Sequence, residues 1–132
     1  MTVGRIAPFV VAALLAPVLA SAAPKADQYY SKTYNDCMST AMATMQTRDC
    51  IHDEYDAWDK SLNQAYQALI ASRGAPEKVQ LRDDERAWLR RTKAKCDHAG
   101  DDEAGGSLQF VEIDQCNLDQ TVLRTVYLRG LH

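Results

Sequence analysis

CIHDEYDAWDKSLNQAYQAL, residues 50–69, decides the fold. Ile51, Tyr55, Trp58, Leu62, Ala65 or Tyr66, and Leu69 recur at steps of four and three, which lines them along one face of a helix. His52, Asp53, Lys60 and Gln64 turn away from that face. A stripe holding a Trp, two Tyr and two Leu is too apolar to stay in water, so helices on either side must cover it.

Downstream, Ser72-Arg73-Gly74-Ala75-Pro76 ends this helix. Gly74 suits a left-handed C-terminal cap and Pro76 the first turn of the next helix. That helix is expected from about Pro76 to Cys96, with Val79, Leu81, Ala87, Trp88 and Leu89 as its apolar residues. A turn this short folds it back antiparallel on the first, as the second arm of a hairpin. Its charges, including Arg82, Arg86, Arg90 and Arg91, read as a solvated face answered by Asp83, Asp84 and Glu85. Asp97–Gly106 is a polar loop, with Asp97, Asp101, Asp102 and Glu103 as a projecting acidic surface. A last helix is expected from about Ser107, which suits its cap, to Leu128. Leu108, Val111, Leu118, Val122 and Val126 form its stripe. Phe110–Ile113 alternates only briefly, so no strand competes.

Upstream, a short helix is expected from Tyr34 to Met45, capped by Thr33 or Asn35, with Gln46–Asp49 as the turn into the central helix. Its methionines read as adaptable core filling. Residues 24–33 read as a flexible arm. Residues 1–22 read as a secretory leader: Arg5 is the basic start, Phe9–Leu19 the apolar run, and cleavage falls after Ala22 or Ala23. The run is short for a membrane span, no second one follows it, and no cysteine stands near the cleavage site to carry a lipid. These features place the protein in the bacterial periplasm or the outside medium.

The mature chain of about 110 residues is one small domain, residues 34–129 forming its helical body. With Arg5 removed, 14 basic residues face 18 acidic ones. That balance argues against a nucleic-acid partner. All four cysteines, Cys37, Cys50, Cys96 and Cys116, lie in the mature part, and an even count in an exported domain implies two disulfides. Three pairings are open. Cys37–Cys50 with Cys96–Cys116 is favoured because each bridge closes a short loop, and a Cys50–Cys96 bridge is the rival. The fold expected is all-α: a small antiparallel bundle of one short and at most three longer helices, stapled by two disulfides.

The catalytic inventory is bare. His132 ends the sequence, His98 lies in the acidic loop, and His52 with Asp56 is a surface pair at helical spacing. No nucleophile–His–acid set, paired carboxylates, phosphate-binding glycine loop or metal-ligand spacing is apparent. No catalytic residue, cofactor site or metal site is assigned, and the chain is expected to act by binding.

A set of short matches then runs along the chain in order. Cys37 and Cys50 bracket the first helix. Asp59-Lys60-Ser61-Leu62-Asn63-Gln64-Ala65-Tyr66 fits D-x-x-L-N-x-x-Y, and Arg86-Ala87-Trp88-Leu89 is followed by Cys96. Gly105-Gly106-Ser107 precedes Cys116, Thr121, Arg124 and Leu128. Over about Tyr34–Leu128 the chain resembles the lysozyme inhibitor LprI-like family of small exported bacterial helical domains. It departs from the family pattern at Glu85 and at Arg91-Thr92-Lys93. The resemblance implies binding to a lysozyme-type muramidase, with another envelope protein as the alternative partner. Its matched polar residues Asp59, Asn63, Thr121 and Arg124 are expected as a network tying the last helix to the central one. The acidic loop is the expected partner contact.

Overall fold

A computed structural model describes residues 22–131. The expected leader, apart from Ala22, and His132 lie outside the described residues. Four helices follow in order: α1 (Lys32–Thr40), α2 (Thr44–Ser72), α3 (Ala75–Asp97) and α4 (Leu108–Arg129), with 3-10 turns at Ala26–Tyr29 and Asp101–Glu103. The favoured disulfides are both present, Cys37–Cys50 across 13 positions and Cys96–Cys116 across 20.

The central stripe is buried as its spacing requires. Ile51, Leu62 and Leu69 are in the core, and Tyr55, Trp58 and Tyr66 pack against it. What covers the stripe is chiefly α4. Contacts Thr44–Ser107, Arg48–Asp114 and Arg73–Leu131 climb both helices together, so α2 and α4 run in the same direction. α3 runs against both and packs on α4 rather than closing on α2. The expected hairpin is therefore splayed. The reason lies in composition: Val79 and Leu89 are exposed, and only Thr92 and Cys96 of α3 are buried. The wide apolar stripe of α4 (Leu118, Val122, Leu128) fills the position between the arms.

Several boundaries differ from expectation, each for a local reason. α1 starts two residues early because Ser31 caps it, its hydroxyl accepting the Tyr34 N–H at 3.0 Å. The same hydroxyl donates to Glu54 Oε2 at 2.6 Å, and the Ser31 N–H donates to Glu54 Oε1 at 2.8 Å. The first turn comes at Ala41–Ala43, and Gln46–Asp49 is already helical in α2. Thr40 bonds back to the Cys37 carbonyl, and Gln46 Oε1 accepts the Met42 N–H at 2.8 Å. Gly74 has φ −71° and opens α3 rather than capping α2 in the left-handed region. Ser107 makes no cap bond. Its hydroxyl lies 3.3 Å from that of Thr44.

The stretch expected as an arm, residues 24–33, is docked on the bundle. Ala26 is buried, and Tyr29 and Tyr30 pack on the core around Ile51, Leu118 and Val122. Tyr30 donates to Asp119, and Gln115 Nε2 donates to Tyr30 Oη at 2.7 Å. Tyr34 donates to Gln115 Oε1 at 2.8 Å. Burial is the main cause that pushes the phenol pKa values of Tyr30 and Tyr34 upward, and Asp119 adds to it. Two aromatic rings and four linked polar groups fix a segment whose polar composition read as mobile.

Candidate functional site

The end of the bundle that carries the α1–α2 corner and the α3–α4 loop holds the residues expected to meet a partner. Asp97 pairs with Lys93 at 2.6 Å, and Asp101 faces His98 Nδ1 at 2.9 Å. Asp102 and Glu103 make no ion pair among the described residues and are exposed on the 3-10 turn. The loop has a defined shape. Gly100 is buried so close to α4 that an added Cβ would meet the Gln109 carbonyl oxygen at 2.4 Å. Gly105 sits at φ +84°, where a side chain is strained, and donates its N–H to Gln109 Oε1 at 3.2 Å. The Cys96–Cys116 bridge closes the base.

Across from the loop, Arg48 donates to Asp114 at 2.6 Å and lies 5.3 Å from the Phe110 ring centroid. His52 reaches the same Asp114 oxygen at 2.9 Å, so its partner is on α4 and not the expected Asp56. The methionines expected in the core divide: Met38 packs inward, while Met42 and Met45 are 95% and 63% exposed.

Asp59, Asn63, Thr121 and Arg124 do not form one network. Asn63 donates to the carbonyl and carboxylate of Asp59, at 2.9 and 3.1 Å, within α2. Thr121 is buried beside Tyr55, whose phenol pKa is raised by burial first and by Asp59 second, with a hydrogen bond to Thr121 opposing them. Arg124, 6% exposed, turns to α3: it donates to Asp84 at 2.6 Å and to Glu85 at 2.7 and 2.9 Å. Its guanidinium also lies 5.5 Å from the Trp88 ring and 5.0 Å from the Tyr127 ring. Burial alone lowers an arginine pKa. The hydrogen bonds and charges of Asp84 and Glu85 outweigh it and raise that of Arg124. Glu85 thus supplies one half of the joint between α3 and α4.

The splay of α2 and α3 leaves a cleft of about 450 Å3 between them. Asp59, Leu62, Asn63 and Tyr66 line one wall, Arg86, Trp88 and Leu89 the other, and Thr121 of α4 borders it. Three separate sequence elements that carry the resemblance therefore meet in one place. Spacing on α2 alone cannot show this, because the opposite wall comes from another helix. Among the described residues no group of three His, Cys, Asp or Glu side chains is placed to hold a metal. No helix among them is long and apolar enough to cross a membrane.

The sequence model described as "Lysozyme inhibitor LprI" matches residues 25–128, most of the chain. The chain belongs to the LprI family. The match begins within the docked N-terminal stretch and ends at Leu128, so all four helices and both bridges of this LprI domain fall inside it or within one residue of its end. A relative from Rhizobium meliloti (strain 1021), described as uncharacterised, is 28% identical over 109 residues, 73% of this chain and 78% of the relative. No solved structure matches significantly.

Proposed function

We propose that this LprI domain is an exported bacterial inhibitor of lysozyme-type muramidases, acting by binding the enzyme and not by catalysis. The family match over residues 25–128 carries the reading. The exposed acidic turn supports it: among the described residues Asp102 and Glu103 make no ion pair, and the ion-pair partners of Asp97 and Asp101 are exposed. Lysozymes are commonly basic, and complementary charge speeds encounter with a cationic cleft. Two disulfides fit an oxidising compartment, the periplasm or the outside medium. The two bridges pair all four cysteines, which supports a protein without a lipid-bearing cysteine.

The test is the rate of peptidoglycan lysis by a c-type lysozyme with and without the purified, oxidised protein, at low and high salt. Dose-dependent inhibition that weakens with salt is expected. No inhibition at micromolar concentration, from a helical and thiol-free sample, overturns the reading.

The α2–α3 cleft favours a second reading, an envelope interaction module with an unrelated protein partner. Asn63 and Leu89 are exposed there, and among the described residues the side-chain hydrogen bonds of Asn63 stay within its own helix. Recovery of one specific envelope protein, lost on Asn63→Ala, and no recovery of lysozyme, is the result that selects it.

A further inference from the structure

Of the seven large apolar side chains exposed among the described residues, four lie on two short segments. Met42 and Met45 lie within the loop closed by Cys37–Cys50, and Leu108 and Phe110 within the loop closed by Cys96–Cys116. The two segments are side by side. Thr44 and Ser107 approach to 3.3 Å, and Met45 and Phe110 line one hollow of about 530 Å3 floored in part by Gly105 and Gly106. The acidic turn Asp101–Glu103 precedes those glycines by one residue in the same disulfide loop, and the Glu103 carbonyl accepts the Gly106 N–H at 2.9 Å.

A short chain with little core is stabilised by its bridges. Here each bridged loop turns two large apolar side chains outward. Exposed apolar clusters rimmed by charge mark protein-binding surfaces. The bridges, the Gly105 N–H bond to Gln109 and the Arg48–Asp114 pair beneath Phe110 hold the surface in shape before any partner arrives, which lowers the ordering cost of binding.

We infer that the two disulfide-closed loops form a single docking face for a cationic muramidase, with Met45 and Phe110 as the apolar centre and Asp101, Asp102 and Glu103 as the anionic rim. The inference rests on the inhibitor reading and adds to it the contact surface and its apolar half. The acidic rim selects the occupant: a second copy of this chain would bring like charge to the same edge, whereas a basic protein brings the opposite. Apolar residues at the centre set the lifetime of such a complex, and rim charges set its rate of formation and its salt dependence.

The experiment compares inhibition of a c-type lysozyme by the wild-type chain, by Met45→Ala/Phe110→Ala, by Asp101→Asn/Asp102→Asn/Glu103→Gln, and by Val79→Ala on the exposed part of α3. Each sample is checked for helicity and for the absence of thiols. At least a tenfold loss of inhibition is expected for the apolar pair. For the acid triple the expectation is slower association with a flattened salt dependence, and for Val79→Ala no change. Wild-type inhibition that both loop variants retain in full overturns the docking face and leaves the inhibitor reading standing. Absence of wild-type inhibition overturns the reading and the face together. Dimers that dissociate in the apolar variant, with inhibition unchanged, assign the face to self-association and also overturn the proposal.

Discussion

The two ends of the bundle are held by different means. At one end, Ala26, Tyr34, Ile51, Leu118 and Val122 form a core over which both disulfides, the Tyr30–Gln115–Asp119 hydrogen bonds and the Ser31–Glu54 pair are laid. At the other, Leu62, Leu69 and Leu128 pack with Leu81, Trp88 and Leu131, with no covalent link and with Val79 exposed nearby on α3. Among the described residues, the first end contains every irregular segment except the tight α2–α3 turn and Gly130–Leu131. The second is nearly all helix. Covalent bonds are concentrated where the backbone forms fewest regular hydrogen bonds, and ordinary apolar packing suffices where the helices are long.

Reducing both disulfides is the strongest way to break this contrast. Loops of 13 and 20 residues correspond to about 3 kcal/mol each in the chain-entropy model, or about 6 kcal/mol together. Small domains have about 5–15 kcal/mol in all. Urea unfolding of the oxidised and reduced chains is expected to show a loss of that order. Hydrogen exchange should place the first loss of protection in α1 and the 98–107 loop. Uniform loss along the chain would mean that the bridges support the whole bundle equally.

The joint between the ends is Arg124. Arg124→Ala leaves Glu85, whose side chain is 14% exposed, without its cation, and is expected to cost about 3 kcal/mol. Arg124→Met keeps packing against Trp88 and Tyr127 but not the pair, and should restore part of that only if packing matters more than charge. In both variants, faster exchange is expected in the first half of α3, with α1 unaffected. Loss of protection in α1 would show that the two ends unfold as one unit.

Residues 50–69 show how much of this was legible beforehand. A stripe six positions long on one helix requires cover, and the sequence contains only helical patterns to provide it, so the all-α class and the buried face follow. The cysteine pairing was also within reach, since short loops favour neighbouring cysteines. The identity of the covering helix was not. Periodicity marks a buried face but carries no address, and chain proximity pointed to α3 when the more apolar α4 takes the place. The polar network failed for the same reason: Arg124 has acids available on both α2 and α3, and only the splay decides for Asp84 and Glu85. Polarity misjudged the N-terminal stretch, because Tyr30 finds hydrogen-bond partners 85 to 89 positions away in sequence and Tyr29 packs on the core beside it. The exposed Met42 and Met45 were invisible as well, since the turn at Ala41–Ala43 rotates them away from the face that helical spacing had given them.

A gentler probe uses pH. Tyr30, Tyr34 and Tyr55 all have phenol pKa values raised above the ordinary 10.0, with burial as the largest cause, and all three belong to or border the stapled end. A phenol with a raised native pKa keeps its proton after the unfolded chain has released its own. Its contribution is therefore complete below pH 10 and is lost as pH climbs toward the native value. Urea midpoints are expected to fall from pH 9 to pH 11, and Tyr30→Phe should flatten that fall. An unchanged slope in Tyr30→Phe would remove Tyr30 from the titrating set and assign the alkaline loss to the other two.

The smallest expected effect sharpens the contrast by strengthening the stapled end. Thr92, one helical turn before Cys96, is 8% exposed, and its hydroxyl is buried without a hydrogen-bond partner among the described residues. Burying such a group costs about 1–3 kcal/mol relative to an apolar one. Thr92→Val removes the hydroxyl with little change in shape, and both side chains are β-branched, so the helix is not penalised further. A gain of about 1 kcal/mol is expected, read as a rise of about 4–8 °C in Tm for a domain of this size. The gain should persist in the oxidised Arg124→Ala background, because Thr92 lies seven residues, about two helical turns, from Glu85 along α3. A loss of stability instead would show that the Thr92 hydroxyl is satisfied in solution, by water or by a carbonyl of its own helix, and that this part of α3 packs less tightly than its burial implies.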